Sequence, residues 1–261
     1  MDLRNEFVKC EIDENIAVVT IDRPPVNALN MQVLKELQTI FGNLAKEPKV
    51  LVVIITGGGK KVFVAGADID GLRKHTPETG KQMNSQFQNT FSMIADFIRP
   101  VICAVSGLAI GGGSELALAC DLIIADTSAV FSWPEVNLGL IPAGGGTQRL
   151  PRQIPVVKAK ELIFTGRKMK AEEAEKVGLV NQVVPEGEVL TAAKLMAKQI
   201  VRRGPVAVAV AKKCINEGMG LPIKEGLHIE AELSATCFGT ADFKEGVNAF
   251  FAKRTPKFEG Q

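Results

Sequence analysis

Val101-Ile102-Cys103-Ala104-Val105-Ser106-Gly107-Leu108-Ala109-Ile110-Gly111-Gly112-Gly113-Ser114-Glu115-Leu116-Ala117-Leu118-Ala119-Cys120 holds a single charge in twenty residues. Its length suits a membrane span, but four glycines interrupt it and Ser114-Glu115 would be costly in lipid. It reads as a buried strand, a glycine turn and a buried helix. Consecutive glycines let a ligand approach the backbone closely and leave the first N–H groups of the helix unpaired. With the helix dipole behind them, such groups suit an oxygen that gains negative charge.

Working outward, Ile16-Ala17-Val18-Val19-Thr20-Ile21 is a strand stopped by Pro24-Pro25. Asn30 offers an N-cap for a helix from Met31 to about Ala45, with apolar residues at helical spacing. A strand over Val50 to Ile55, a helix from about Gly80 to Ile98 and short strands at Leu122–Ala125 and Val130–Phe131 complete an alternating pattern. Strands alternating with helices imply parallel pairing in an α/β layered fold. After about Pro155 the texture becomes helical, with helices near Ala171–Val177, Glu186–Arg203, Val206–Glu217, Pro222–Phe238 and Asp242–Phe251. The working division is a catalytic core over 1–200 and a helical oligomerisation region over 201–261. Phe238, Phe243, Phe250, Phe251 and Phe258 load that last region with aromatics. They pack either on the core or against a neighbouring subunit.

Composition narrows the chemistry. The 261 residues include no Tyr and only two His, His75 and His228. Reductases that protonate through a Tyr hydroxyl are excluded, as are zinc sites built from several His. Acid–base work then falls to Asp, Glu, Cys or Lys. Lys and Arg number 31 against 29 Asp and Glu, with no basic block of the kind nucleic-acid arms carry. Five scattered cysteines, with no C-x-x-C pair, argue for reduced thiols in the cytoplasm. Gly57-Gly58-Gly59-Lys60-Lys61 lacks the spacing of a nucleotide P-loop, and no Ser sits in a G-x-S-x-G elbow.

Three features remain: Phe63-Val64-Ala65-Gly66-Ala67-Asp68, the glycine turn ending in Ser114-Glu115, and Trp133-Pro134-Glu135 with the later Gly144-Gly145-Gly146. Glu115 lies in a first helical turn among Leu, Ala and Cys, so its carboxyl should titrate high. Two carboxyls on separate turns beside an oxyanion site would hold one water between them. That suits chemistry next to a carbonyl, where an enolate forms.

These motifs, in this order, resemble the enoyl-CoA hydratase/isomerase (crotonase) superfamily, and within it the short-chain enoyl-CoA hydratases. The resemblance runs from Asp22-Arg23-Pro24-Pro25-Val26-Asn27-Ala28-Leu29 through Pro134-Glu135 and Arg149-Leu150. It continues at Leu162-Ile163-Phe164-Thr165-Gly166 and Ala174-Glu175-Lys176-Val177-Gly178-Leu179-Val180, and closes at Phe250-Phe251-Ala252-Lys253-Arg254-Thr255-Pro256-Lys257-Phe258. Departures are small: Val64 and Ser114 stand where relatives often carry Ala/Cys and Cys.

The resemblance implies a crotonase-like spiral of ββα units, with C-terminal helices that assemble into homotrimers or homohexamers. It implies an acyl-CoA thioester substrate, reversible hydration of a trans-2-enoyl-CoA, and neither metal nor redox cofactor. The Ala67 and Gly112 N–H groups would form the oxyanion hole, and Glu115 and Glu135 would be the catalytic glutamates. Ala65, Ala67, Asp68, Ile69, Asp70 and Gly112 would contact the substrate, the Ala67–Asp70 stretch lying against CoA. A double-bond isomerase is the nearest alternative, and an RNA-binding superfamily member the alternative from another class. The helix from Met31 to Ala45 offers RNA only Lys35. Arg73, Lys74, Lys253, Arg254 and Lys257 are candidate CoA-phosphate contacts or solvated charges, and Trp133 shapes the acyl pocket or belongs to the core.

Overall fold

The computed structural model describes residues 5–68 and 75–261. Its core is built on two sheets. The larger runs in the order β1 (Val8–Asp13), β2 (Ile16–Ile21), β3 (Val52–Gly57), β5 (Val101–Val105), β7 (Leu122–Asp126) and β10 (Gln182–Val184). Only the β1–β2 hairpin is antiparallel. The smaller runs β4 (Val62–Val64), β6 (Leu108–Ile110), β8 (Val130–Ser132) and β9 (Met169–Lys170), the first three parallel.

The continuous apolar runs follow from burial on both faces of the large sheet. Val53, Ile55, Val101, Cys103 and Val105 enter one core, together with α1 (Met31–Leu44). Val52, Ile54, Ile102 and Ala104, alternating with them, enter a second core closed by Val189, Ala193 and Ala197 of α7 (Val189–Val201). The two-residue period of a strand therefore feeds two layers at once.

The chain leaves the large sheet for the small one three times, from β3 to β4, β5 to β6 and β7 to β8. Helices follow each departure: α2 (Pro77–Ala95), then α3 (Gly112–Leu118), then a 3-10 turn at Pro134–Leu138 with α4 (Gly146–Gln153) and α5 (Val156–Thr165). This is the ββα spiral expected. Val101–Cys120 becomes β5, β6 and α3, and among the described residues no helix is long and apolar enough to cross a membrane.

Boundaries shift for local reasons. The expected strand over Val50–Ile55 lies at Val52–Gly57, because Thr56 and Gly57 pair with Thr20 and Ile21 of β2. α2 starts three residues before the expected Gly80, because Thr76 caps it reciprocally with Thr79 and Pro77 takes the first helical position. Strand β1 and helices α4 and α5 carry no clear pattern in the sequence; Pro151 lies inside α4 and Pro155 caps α5.

Beyond α6 (Ala171–Lys176) and α7, the chain forms α8 (Pro205–Gly218), α9 (Ile223–Phe238) and α10 (Ala241–Phe251). Neither α8 nor α9 buries a residue fully. Polar ties hold α8 to the core: Lys212 Nζ donates to Asp121 Oδ2 at 2.7 Å and to Arg99 O at 3.2 Å. Of the five late phenylalanines, Phe258 packs beside Gly204 and Gly246, whereas Phe238, Phe250 and Phe251 are largely exposed.

Candidate active site

The site is assembled at the C-terminal ends of three neighbouring parallel strands. Ala67 follows β4, Gly112 and Glu115 follow β6, and Glu135 follows β8. Such edges are where open parallel sheets bind ligands.

Ala67 forms a parallel bridge with Leu29. Leu29 donates to Gly66 O at 2.7 Å and accepts from Asp68 N at 3.0 Å. The intervening Ala67 amide therefore faces away from Leu29. Among the described residues neither it nor the Gly112 amide donates to a protein acceptor. A methyl group placed on Gly112 would stand 3.7 Å from Ala67 N, so the two free donors are neighbours. Gly111 turns the chain into α3 with φ +53°, where side chains are disfavoured, and a methyl on Gly113 would strike the Val64 carbonyl oxygen. Ser114 clamps the arrangement, donating to Ala109 O at 2.6 Å and accepting from Ser132 N at 3.2 Å.

Glu115 is buried in the first turn of α3, and its Oε1 accepts from Gly146 N at 2.7 Å. Burial pushes its carboxyl up to about 7; the Gly146 and Gly144 amides and the Arg149 charge pull partly against this, while Glu135 adds to it. Glu135 is half-buried on the 3-10 turn, and burial raises its carboxyl too. Its Oε1 lies beside Gly111, close enough that a methyl there would stand 2.6 Å away. Glu135 Oε2 and Trp133 Nε1 are the two buried side-chain polar atoms without a partner among the described residues. Trp133 is fully buried, its Cδ1 against Gly146 on the side of the Glu115 carboxyl.

The structure thus brings together Ala67, Gly112, Glu115 and Glu135. Asp68 is drawn into an ion pair with Arg23 at 2.8 Å, and the Ala65 amide is engaged by Val26 O at 3.1 Å. Ile69, Asp70, Arg73 and Lys74 lie outside the described residues. Arg254 pairs with Glu245, whose carboxyl it holds down at about 2, and Lys253 and Lys257 are exposed. His75 is exposed beside Thr79, and His228 pairs with Glu232 on a surface helix. Arg149 and the Gly144–Gly146 amides, which set the Glu115 environment, are given no role by the sequence pattern; their signal is only a glycine run before a helix.

A cavity of about 360 Å³ opens beside Ala67, lined by Leu29, Met31, Thr79, Met83 and Phe87. A larger one, about 810 Å³, lies between α8 and the ends of α1 and α2, and none of its lining residues belongs to the site. Among the described residues no cluster of three or more His, Cys, Asp or Glu could hold a metal ion.

The family model described as enoyl-CoA hydratase/isomerase matches residues 11–261. The chain is 44% identical, over 100% of its length and 98% of the relative's, to a short-chain-enoyl-CoA hydratase of Clostridium acetobutylicum. It is 42% identical to a crotonyl-CoA hydratase of Syntrophomonas wolfei, over 97% of this chain and 98% of that one. The crystal structure of an enoyl-CoA hydratase from Bacillus anthracis superposes with a TM-score of 0.95 at 39% identity, covering 98% of this chain and 100% of that one. With two free amides and two raised carboxyls at the strand ends of a ββα spiral, the chain belongs to the enoyl-CoA hydratase/isomerase family.

Proposed function

We propose that the protein is an enoyl-CoA hydratase, adding water reversibly across the double bond of a trans-2-enoyl-CoA to give a 3-hydroxyacyl-CoA. The observation that carries the mechanism is the placement of two carboxyls, Glu115 buried and Glu135 half-buried, beside two free amides. The Ala67 and Gly112 amides hold the thioester oxygen. As water attacks C3, negative charge moves onto that oxygen, and losing one such donor typically costs on the order of 3 kcal/mol. Glu115 and Glu135 hold the water, for which Glu135 Oε2 offers an acceptor with no protein partner. One carboxyl, ionised, takes the proton the water loses; the other, neutral, protonates C2. The two carry a single proton between them in the active state. No metal or redox cofactor takes part.

The names of the relatives from Clostridium acetobutylicum and Syntrophomonas wolfei support a short-chain substrate such as crotonyl-CoA. Backbone around Ala65, Asp68, Ile69 and Asp70 receives the CoA portion. Exposed Ile215, Ile223, Phe250 and Phe251 on α8 to α10 support assembly into a homotrimer, and pairing of trimers into a hexamer. Five free thiols fit a reducing, cytoplasmic setting.

Glu115→Gln and Glu135→Gln, assayed by loss of the conjugated enoyl thioester absorbance, test the mechanism. Each should lose at least about a hundredfold in kcat, the contribution of one positioned proton-transfer group. A wild-type rate in either variant overturns the paired-carboxyl mechanism. A wild-type protein inert on every enoyl-CoA overturns the activity itself.

A further inference from the structure

The residues at Phe87 and Phe91 touch both halves of the site from one face of α2. A methyl on Gly112 would stand 3.4 Å from Phe87 Cε1, on the side of the free amides. A methyl on Gly144 would stand 3.1 Å from Phe91 Cε2 and 2.6 Å from Glu115 Oε2, on the side of the carboxyls. The two rings meet edge to face, with centroids 5.8 Å apart. Met83, one turn earlier on the same face, and Phe87 also line the cavity of about 360 Å³ beside Ala67. Ala67 opens onto that cavity directly, whereas Glu115 and Glu135 do not line it; Phe87, in contact with Phe91, stands between it and the carboxyl side of the site.

We propose that the Phe87–Phe91 pair is the wall that ends the acyl pocket, so that it sets the enzyme's preference for short enoyl chains. The inference rests on the hydratase reading. With the thioester oxygen at Ala67 and Gly112 and C3 facing Glu115 and Glu135, the fourth and later carbons leave the reaction centre along the edges of these two rings. A short chain ends against the rings. A longer one meets the Phe87 ring before it reaches the space that Met83 lines. Both phenylalanines are also core residues, and loss of packing alone would lower activity on every substrate together. Chain-length selection is a ratio between substrates and does not share that fate.

The experiment measures kcat/KM for crotonyl-CoA and trans-2-decenoyl-CoA on single preparations of wild type, Phe87→Ala, Phe87→Leu and Phe91→Ala. A ratio on one preparation cancels any difference in active fraction. Wild type should favour the four-carbon substrate. Phe87→Ala should raise the decenoyl-to-crotonyl ratio by about tenfold or more, the scale of discrimination that accommodating or excluding methylenes produces. Phe87→Leu, which keeps the site apolar, should raise it less and stands in if the Ala variant does not fold. An unchanged ratio in the Phe87 variants, or a wild type that favours decenoyl-CoA, overturns the wall. Failure of wild type on both substrates overturns the hydratase reading instead.

Discussion

Gly146 holds Glu115: its amide nitrogen lies 2.7 Å from Glu115 Oε1, across 31 residues of sequence. The loop that follows Glu135 thus fixes the carboxyl supplied by the turn after β6. Gly144 in the same loop leaves no room for change. Gly144→Ala, with its methyl 2.6 Å from Glu115 Oε2, should displace the carboxyl and lower kcat roughly 10- to 100-fold, the effect of misplacing a reacting group by about an ångström. Circular dichroism should stay native. Wild-type kcat in this variant would show that the Glu115 position is not critical.

The rate should be bell-shaped in pH. At low pH both carboxyls are neutral and no base remains, and at high pH both are ionised and no acid remains. Because burial raises Glu115 to about 7, kcat/KM should begin to fall as pH rises through that value. A profile flat between about pH 5 and pH 9 would contradict a proton shared by the pair.

The same burial bears on stability. Glu115 binds its proton more tightly folded than unfolded, so its stabilising contribution is complete below its ordinary value near 4.5 and lost as pH rises through about 7. Glu115→Gln removes that dependence. Relative to wild type, the variant should gain stability at pH 8 over pH 5, on the order of 2–3 kcal/mol for a shift of this size. Urea unfolding at fixed protein concentration measures it; an equal offset at both pH values would refute the claim.

The helix over Met31–Leu44 contains Gly42, where a methyl would meet nothing within 4 Å. Gly42→Ala should stabilise by about 0.5–1 kcal/mol, through the conformational entropy glycine loses in a helix. Thermal unfolding should shift up by roughly 1–4 °C for a chain of this size. A lower Tm would indicate a contact at that position.

Local signals are legible in the sequence. Asn30 does cap α1, its side chain accepting from Val33 N at 2.9 Å. The glycine turn before Glu115, and the high titration of a carboxyl among Leu, Ala and Cys, follow from a few adjacent residues. What escaped is set by long-range pairing. β4 and β6 are three residues each, too short for a period, and owe their existence to their strand neighbours, whereas β8 is legible as the short run Val130–Phe131. β1 joins the sheet through a hairpin whose partner does the specifying, and the contact from Gly146 to Glu115 has no local trace. The Thr76 cap leaves no standard capping-box signature, because its third residue is Thr79 rather than Glu or Gln.

The spiral deals out its functional groups over successive revolutions: an amide after β4, an amide and a carboxyl after β6, a second carboxyl after β8. The group that each revolution presents can be exchanged by itself, because the strand behind it is held by sheet neighbours and not by that group. Replacing Glu135, on the turn after β8, would leave the two free amides and Glu115 in place. A scaffold wired in this way can keep the proposed amide grip on a thioester while exchanging the proton-handling step, and so can host hydration and double-bond migration within one lineage.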